Sequence, residues 1–235
     1  MMINLAQKEE LPIRVICATK GSLEDFKNSN TGKSLISSCQ VTSAELKLFS
    51  SNAQGLSQVY NQAIEESLSS PALLVFVHDD VLITDFFWGS RVRNGLQLFD
   101  VVGVVGNKRR LPNQPGWIMV DMQGSLDSFS NLSGSIGQGD FFPPKKLDYF
   151  GPSNQECKLM DGVFLAASSE TLNLCGLRFD PQFQFHFYDV DFCRSAEHLG
   201  VKMGTIDLSI IHQSYGQLND QWLHSYQLYL KKWQS

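Results

Sequence analysis

Short apolar runs of β-type residues alternate with stretches of helical spacing over the first hundred-odd residues. This alternation predicts parallel strands joined by crossover helices. Ile13 to Ala18 is a compact apolar strand ending in a turn at Thr19-Lys20-Gly21, and Glu45 to Phe49 offers a second strand of the same short type. A helix must lie between them, within Ser22 to Ser38. From Gln54 to Ser67, the residues Leu56, Val59, Tyr60, Ala63 and Ile64 recur at helical spacing. Ala72 to Val77 is then an uninterrupted apolar run, the mark of a strand buried on both faces, and it leads straight into His78-Asp79-Asp80. A helix from about Thr84 to Leu98 and a central strand at Val101 to Val105 sustain the alternation.

The pattern weakens from Lys108 to Phe150, where Pro112, Pro115, Pro143 and Pro144 punctuate the chain. Gln123 to Gly139 is rich in Ser and Gly, with little strand or helix periodicity, and predicts a long excursion or mobile flap. Lys158 to Ala167 reads as a strand containing Asp161-Gly162, followed by a short helix from Ser169 to Leu174 that stops near Gly176. Phe185 to Asp191 leads into a helix through Leu199, closed by Gly200, and Val201 to Leu208 reads as a strand leading to Ile210-Ile211-His212. Asn219 to Trp233 is an amphipathic helix. Its face of Trp222, Tyr226, Tyr229, Leu230 and Trp233 predicts docking on the chain's own core or on a second copy in a homo-oligomer.

Composition narrows the classes. A hydrophobic fraction of 43% over 235 residues supports one folded α/β domain. A formal net charge of -5 disfavours a nucleic-acid partner, whose backbone calls for a basic face, so any bound phosphate is expected to be small and metal-bridged. Five cysteines without a CxxC pair predict reduced thiols. No apolar run approaches the ~20 residues of a membrane span, and Lys8, Glu9 and Glu10 stand where a signal peptide has its apolar core, so the expectation is a cytoplasmic protein.

Ligands of α/β sheets sit beyond the carboxyl ends of the strands, which makes His78-Asp79-Asp80 the first candidate site. Two carboxylates beside an imidazole suit a divalent cation, Mg2+ or Mn2+, bridging to a diphosphate; a capped strand end with solvated aspartates fits the same residues. Gly55 would let a backbone approach a ligand and Asn61 would offer donors and acceptors to a nucleotide, whereas core packing for Tyr60 and surface solvation for Asn61 are the alternatives. Asp189 and Asp191 fall in a first helical turn, where acidic residues are also favoured as dipole compensation, the reading preferred for Asp191.

Asn52-Ala53-Gln54-Gly55, Val59-Tyr60-Asn61-Gln62-Ala63 and Phe76-Val77-His78-Asp79-Asp80-Val81, followed by Asp161-Gly162-Val163-Phe164, Tyr188-Asp189-Val190-Asp191 and Gly200, together resemble the family 2 glycosyltransferases. More narrowly they resemble the branch of the streptomycin-biosynthesis glycosyltransferase-like proteins. The resemblance runs from about Ile13 to Ser214 and implies a GT-A fold, a mostly parallel sheet flanked by helices. It divides the chain into a nucleotide-binding half at 12–107, an irregular region at 108–150, an acceptor and catalytic half at 151–215 and a C-terminal helix at 216–235. It implies an inverting transfer from a nucleoside-diphosphate sugar to a hydroxyl of a glycan or small molecule. Asp80 would bind the metal with His212; Thr19, Asn52, Gly55, Tyr60, Asn61, His78 and Asp79 would line the nucleotide-sugar site; Asp161 and Gly162 would meet the acceptor; and Asp189 would be the general base. The sequence departs from the family at His78, where an Asp is usual, and at Tyr188, where a Glu is frequent before the catalytic Asp. A sugar-phosphate nucleotidyltransferase and a non-catalytic binding module are the alternatives.

Overall fold

The computed structural model describes residues 11–214, 216 and 218–234; Lys8, Glu9 and Glu10, and the side chain of Cys39, lie outside the described residues. In chain order the elements are β1 (Ile13–Ala18), α1 (Leu23–Asn28), α2 (Asn30–Thr42), β2 (Ala44–Phe49), α3 (Leu56–Glu66), β3 (Leu73–Val77), β4 (Val81–Ile83), α4 (Trp88–Leu98), β5 (Val101–Gly103) and β6 (Val105–Asn107). They continue with β7 (Leu132–Gln138), β8 (Lys146–Gly151), β9 (Leu159–Met160), β10 (Phe164–Ser168), α5 (Ser169–Cys175), α6 (Tyr188–His198), β11 (Met203–Thr205), β12 (Ile210–His212) and α7 (Asp220–Trp233).

The main sheet has the order β11-β5-β10-β3-β1-β2. β10 alone runs against its neighbours, antiparallel to both β3 and β5, while β1 pairs in parallel with β2 and β3, and β11 with β5. Period-two alternation buries both faces of these strands. Ile16, Leu74, Phe76 and Leu165 pack with α3 and α6 on one side, and Val15, Cys17, Val75, Val77 and Phe164 with Phe26, Leu35, Trp88 and Val92 on the other. Burying one such Leu, Val or Phe contributes about 1.5–3 kcal/mol, so the continuous apolar runs are the source of the sheet's stability.

A second sheet has the order β4-β12-β7-β6-β9 with β8 on β7, and it draws β7 and most of β8 from the region expected to be irregular. β7 holds this sheet together, pairing with β6, β8 and β12. Its glycines stand where neighbours press close rather than where the chain is loose. A side chain at Gly134, which has φ +92°, would run into the Val104 carbonyl, and a Cβ at Gly137 would lie 3.0 Å from both Ile211 Cγ1 and Pro144 Cβ. Two strands expected to be continuous are each broken where the chain crosses between sheets. Val101 to Val105 divides at Val104 into β5 and β6, and Lys158 to Ala167 divides at 161–163 into β9 and β10. The strand expected over Val201 to Leu208 shortens to β11, and the helix between β1 and β2 is two helices.

The aromatic face of α7 docks on the chain's own core. Trp222, Tyr226 and Tyr229 surround Phe187 at ring-centroid distances of 5.3, 5.6 and 5.4 Å. Lys232 Nζ pairs with the fully buried Asp191 at 2.8 Å, and Trp233 Nε1 donates to the same carboxylate at 2.8 Å. On that face Tyr226 and Tyr229 are buried, while Trp222, Leu230 and Trp233 are half-buried. Among the described residues no helix is long and apolar enough to cross a membrane.

The buried ion pair makes a direct prediction. Lys232→Ala leaves Asp191 with one donor and no counter-charge, and should lower stability by about 2–3 kcal/mol in urea unfolding. The double change Asp191→Asn with Lys232→Met should recover more than half of that loss.

Candidate active site

β3 runs out at Val77, and the next three residues turn across the carboxyl end of the sheet before β4 begins. Thr31, fully buried at the start of α2, holds this turn: its hydroxyl lies 2.6 Å from the His78 carbonyl and 2.9 Å from that of Val81, and accepts the Val81 N–H at 2.8 Å. Because β10 is antiparallel to β3, with Phe164 opposite Val77, the 161–163 crossing falls beside the same turn. The His78 N–H donates to the Val163 carbonyl at 3.3 Å.

β12 brings the third component. His212 pairs with Val81 across the β4–β12 ladder, which sets its imidazole against Asp80, with Nε2 to Oδ1 at 3.3 Å. The backbone N–H groups of Gln213 and Ser214 close over Asp80, donating to its carbonyl at 3.1 Å and to Oδ2 at 3.3 Å. One ligand atom each from His78, Asp80 and His212 lie within 4.8 Å of one another, while Asp79 is outside this cluster. Burial alone would raise the Asp80 pKa, but the hydrogen bond and charge of His212, with Ser214 and His78, hold it well below the usual carboxylate range. Burial likewise opposes charging of His212, yet the Asp80 contact raises its pKa on balance; His78, desolvated and facing His212, is lowered. A cation with ligand distances of about 2.0–2.2 Å needs ligand pairs roughly 3–4 Å apart, which the Asp80–His212 pair already meets. The donor set of two imidazoles and one carboxylate fits Mn2+ better than Mg2+, which prefers oxygen.

Facing this cluster is the start of α6. Phe187 caps the helix in the left-handed conformation, φ +66°, and the next residues enter the site. Tyr188 Oη lies 2.7 Å from His78 Nε2 and donates to the Gly162 carbonyl at 2.9 Å. Asp189 Oδ2 accepts the Gly162 N–H at 2.9 Å. This approach requires glycine: a Cβ at Gly162 would overlap the Tyr188 hydroxyl and sit 2.8 Å from Asp189 Cβ. Asp161 is held in turn by Trp117, whose Nε1 donates to Oδ2 at 2.7 Å, and by the Val163 N–H at 2.9 Å. Burial, then the charge of Asp161, raises the Asp189 pKa from 3.8 to about 7.

Three residues expected at the nucleotide-sugar site make contacts within the frame. Tyr60 is wholly buried under the site against Phe76, Phe179 and Tyr188. Asn61 spends its amide on the backbone of Phe179, donating to its carbonyl at 2.6 Å and accepting its N–H at 3.0 Å. Gly55 allows close approach to Gln184, where a Cβ would meet Cα at 2.8 Å, and the adjacent Leu56 N–H donates to the Gln184 carbonyl at 2.6 Å. Together with Ser57, which donates to the Phe183 carbonyl at 2.6 Å, these residues moor the segment that delivers Asp189. Thr19 and Asn52 stand together at the ends of β1 and β2, the Asn52 N–H donating to the Thr19 carbonyl at 2.9 Å. The Asn52 side chain closes a local turn on Gln54. Thr31 was not singled out as a site residue from the sequence; its contact with the His78 carbonyl spans 47 residues and leaves no local signal.

The sequence matches no family model and no curated protein. Solved structures that resemble the fold include the following two. A197 from STIV aligns over 87% of this chain and 87% of its own with a TM-score of 0.50 and 14% identity. GalNAc-T7, crystallised with UDP, GalNAc and Mn2+, aligns over 94% of this chain and 48% of its own with a TM-score of 0.51 and 12% identity. This chain thus spans about half the length of GalNAc-T7. The likeness is one of fold, and the fold is GT-A, a mixed α/β sheet flanked by helices.

The raised pKa of Asp189 sets the sign of a stability test. The folded protein keeps the Asp189 proton between about pH 4 and 7 while the unfolded chain has lost it, so this group's stabilisation is present below the unfolded pKa and is lost as pH rises through about 7. Asp189→Asn should therefore raise the melting temperature at pH 8 by at least about 3 °C. The gain should disappear below about pH 4 in the same scanning-calorimetry series.

Proposed function

We propose that this protein is a metal-assisted glycosyltransferase moving a sugar from a nucleoside diphosphate to a hydroxyl of a glycan or small molecule, with a UDP-sugar as donor. The observation that carries the reading is the cluster of His78, Asp80 and His212 at the sheet's carboxyl edge, facing a carboxyl whose pKa is raised to about 7. The fold likeness to GalNAc-T7, crystallised with UDP, GalNAc and Mn2+, supports the same donor class and metal. When bound, the cation would neutralise charge growing on the departing diphosphate. Thr19 and Asn52 are assigned to the nucleotide side of the cleft, and the buried free thiols of Cys17, Cys157 and Cys193 fit a cytoplasmic setting.

Asp189 is assigned as general base. It takes the acceptor hydroxyl's proton as the new bond from that oxygen to the anomeric carbon forms and the bond from that carbon to the diphosphate breaks. In an inverting transfer the two oxygens lie on opposite faces of the sugar. A carboxylate with a pKa close to 7 is matched to this task, being partly ionised yet basic enough to accept a proton. Asp161, held by Trp117, is assigned to orienting the acceptor, with Gly162 giving it room.

Calorimetry should show UDP binding that depends on Mn2+ and is weakened at least about 100-fold by Asp80→Ala. Asp189→Asn should leave UDP affinity unchanged while lowering kcat by about 10²–10⁴. The wild-type rise in kcat/KM through about pH 7 should flatten in that variant. Failure of UDP, GDP and dTDP alike to bind with Mn2+ present would defeat the donor-site assignment. Nucleotide binding with neither transfer nor hydrolysis would make the protein a binding module.

A further inference from the structure

The two positions at which the sequence departs from the glycosyltransferase pattern, His78 and Tyr188, are 110 residues apart and touch, with Nε2 and the phenol oxygen at 2.7 Å. Neither departure is then an isolated loss. Tyr188 is buried, its hydroxyl enclosed between the imidazole and the Gly162 carbonyl, to which it stands at 2.9 Å.

A phenol has one proton to give. Gly162 is itself buried, and its carbonyl would be left unsatisfied if the phenol turned its proton toward the imidazole. The hydroxyl therefore donates to Gly162 and accepts from His78, which requires the imidazole proton to sit on Nε2. The exposed Phe185 ring lies beside the imidazole, at 6.2 Å between centroids and 25° between planes. His212 is placed differently, its Nε2 facing both Asp80 Oδ1 and Ser214 Oγ at 3.3 Å.

We infer that Tyr188 is a positioning residue for the cation site, holding His78 in the Nε2–H tautomer and leaving Nδ1 as the nitrogen that a divalent cation takes. The inference rests on the assignment of His78, Asp80 and His212 as that site. Groups that hydrogen-bond the second nitrogen of a ligating histidine set its tautomer and orientation, and their loss weakens metal binding.

The test is Mn2+ binding to nucleotide-free protein, followed by calorimetry in the wild type, Tyr188→Phe, His78→Gln and Asp80→Ala, with circular dichroism as the check on folding. Tyr188→Phe should bind Mn2+ about 10–100-fold more weakly. His78→Gln can still present an N–H to Tyr188 but has no δ nitrogen, and should lose at least as much. Independently of any variant, a nitrogen–proton correlation spectrum of ¹⁵N-histidine-labelled wild type should show His78 protonated on Nε2 and bare on Nδ1. Asp80-dependent Mn2+ binding that is unchanged in a folded Tyr188→Phe, or a proton found on Nδ1, overturns this inference and leaves the cation site standing. Wild-type protein without Mn2+ affinity, or with an affinity that Asp80→Ala does not alter, overturns the site and the inference together. If Tyr188→Phe does not fold, the tautomer in the wild-type spectrum decides.

Discussion

The missing side chain at Gly162 is the constraint on which the site is built. Only there can the first turn of α6 come against the crossing between β9 and β10, so that one short backbone segment accepts a hydrogen bond from Tyr188 and donates one to Asp189. Through Tyr188 the helix reaches His78; through Asp189 it reaches the neighbourhood of Asp161. The arrangement has a cost at Phe187, whose left-handed conformation is about 1–2 kcal/mol unfavourable for a residue with a side chain. The packing of that ring among Trp222, Tyr226 and Tyr229 offsets it, which makes α7 part of the site's support although it contributes no group to the cleft.

Two aspartates on one turn of α6 show how environment divides roles. Asp191 is fully buried, which raises its pKa too, but a lysine and an indole N–H bond its carboxylate and offset part of that rise, and through them it fastens α7. Asp189 has only backbone N–H groups and a second carboxylate nearby, so its proton is held into the neutral range. The same residue type two positions apart is in one case a rivet and in the other a titrating group. Preference for a first helical turn explains why both are acidic and does not distinguish them.

What could be seen in the sequence was what local periodicity carries. The run at Leu73–Val77 is apolar throughout, and that at Ile13–Ala18 is apolar but for Arg14, because both faces of their strands are covered, and the acidic turn after Leu73–Val77 is visible because charge follows burial abruptly. β7 was hidden because its small residues answer to neighbours distant in sequence, the Val104 carbonyl and Ile211 among them, and such pressure reads locally as flexibility. The contacts of Tyr60, Asn61 and Gly55 with the chain's own 179–184 segment were hidden for a related reason. A helix beside a strand end can face a ligand or a loop of its own chain, and only the position of 179–184 decides between them. The resemblance named Asp80 and His212 together as metal ligands although 132 positions separate them; the β4–β12 ladder is what brings them into contact.

The chain passes from one sheet to the other over three residues or fewer at 78–80, at Val104 and at 161–163, and the first and last of these passages lie inside the site. His78 and Asp80 on one passage, and Asp161 and Gly162 on another, therefore answer to both layers at once, so any change in how the layers pack is felt at the site directly.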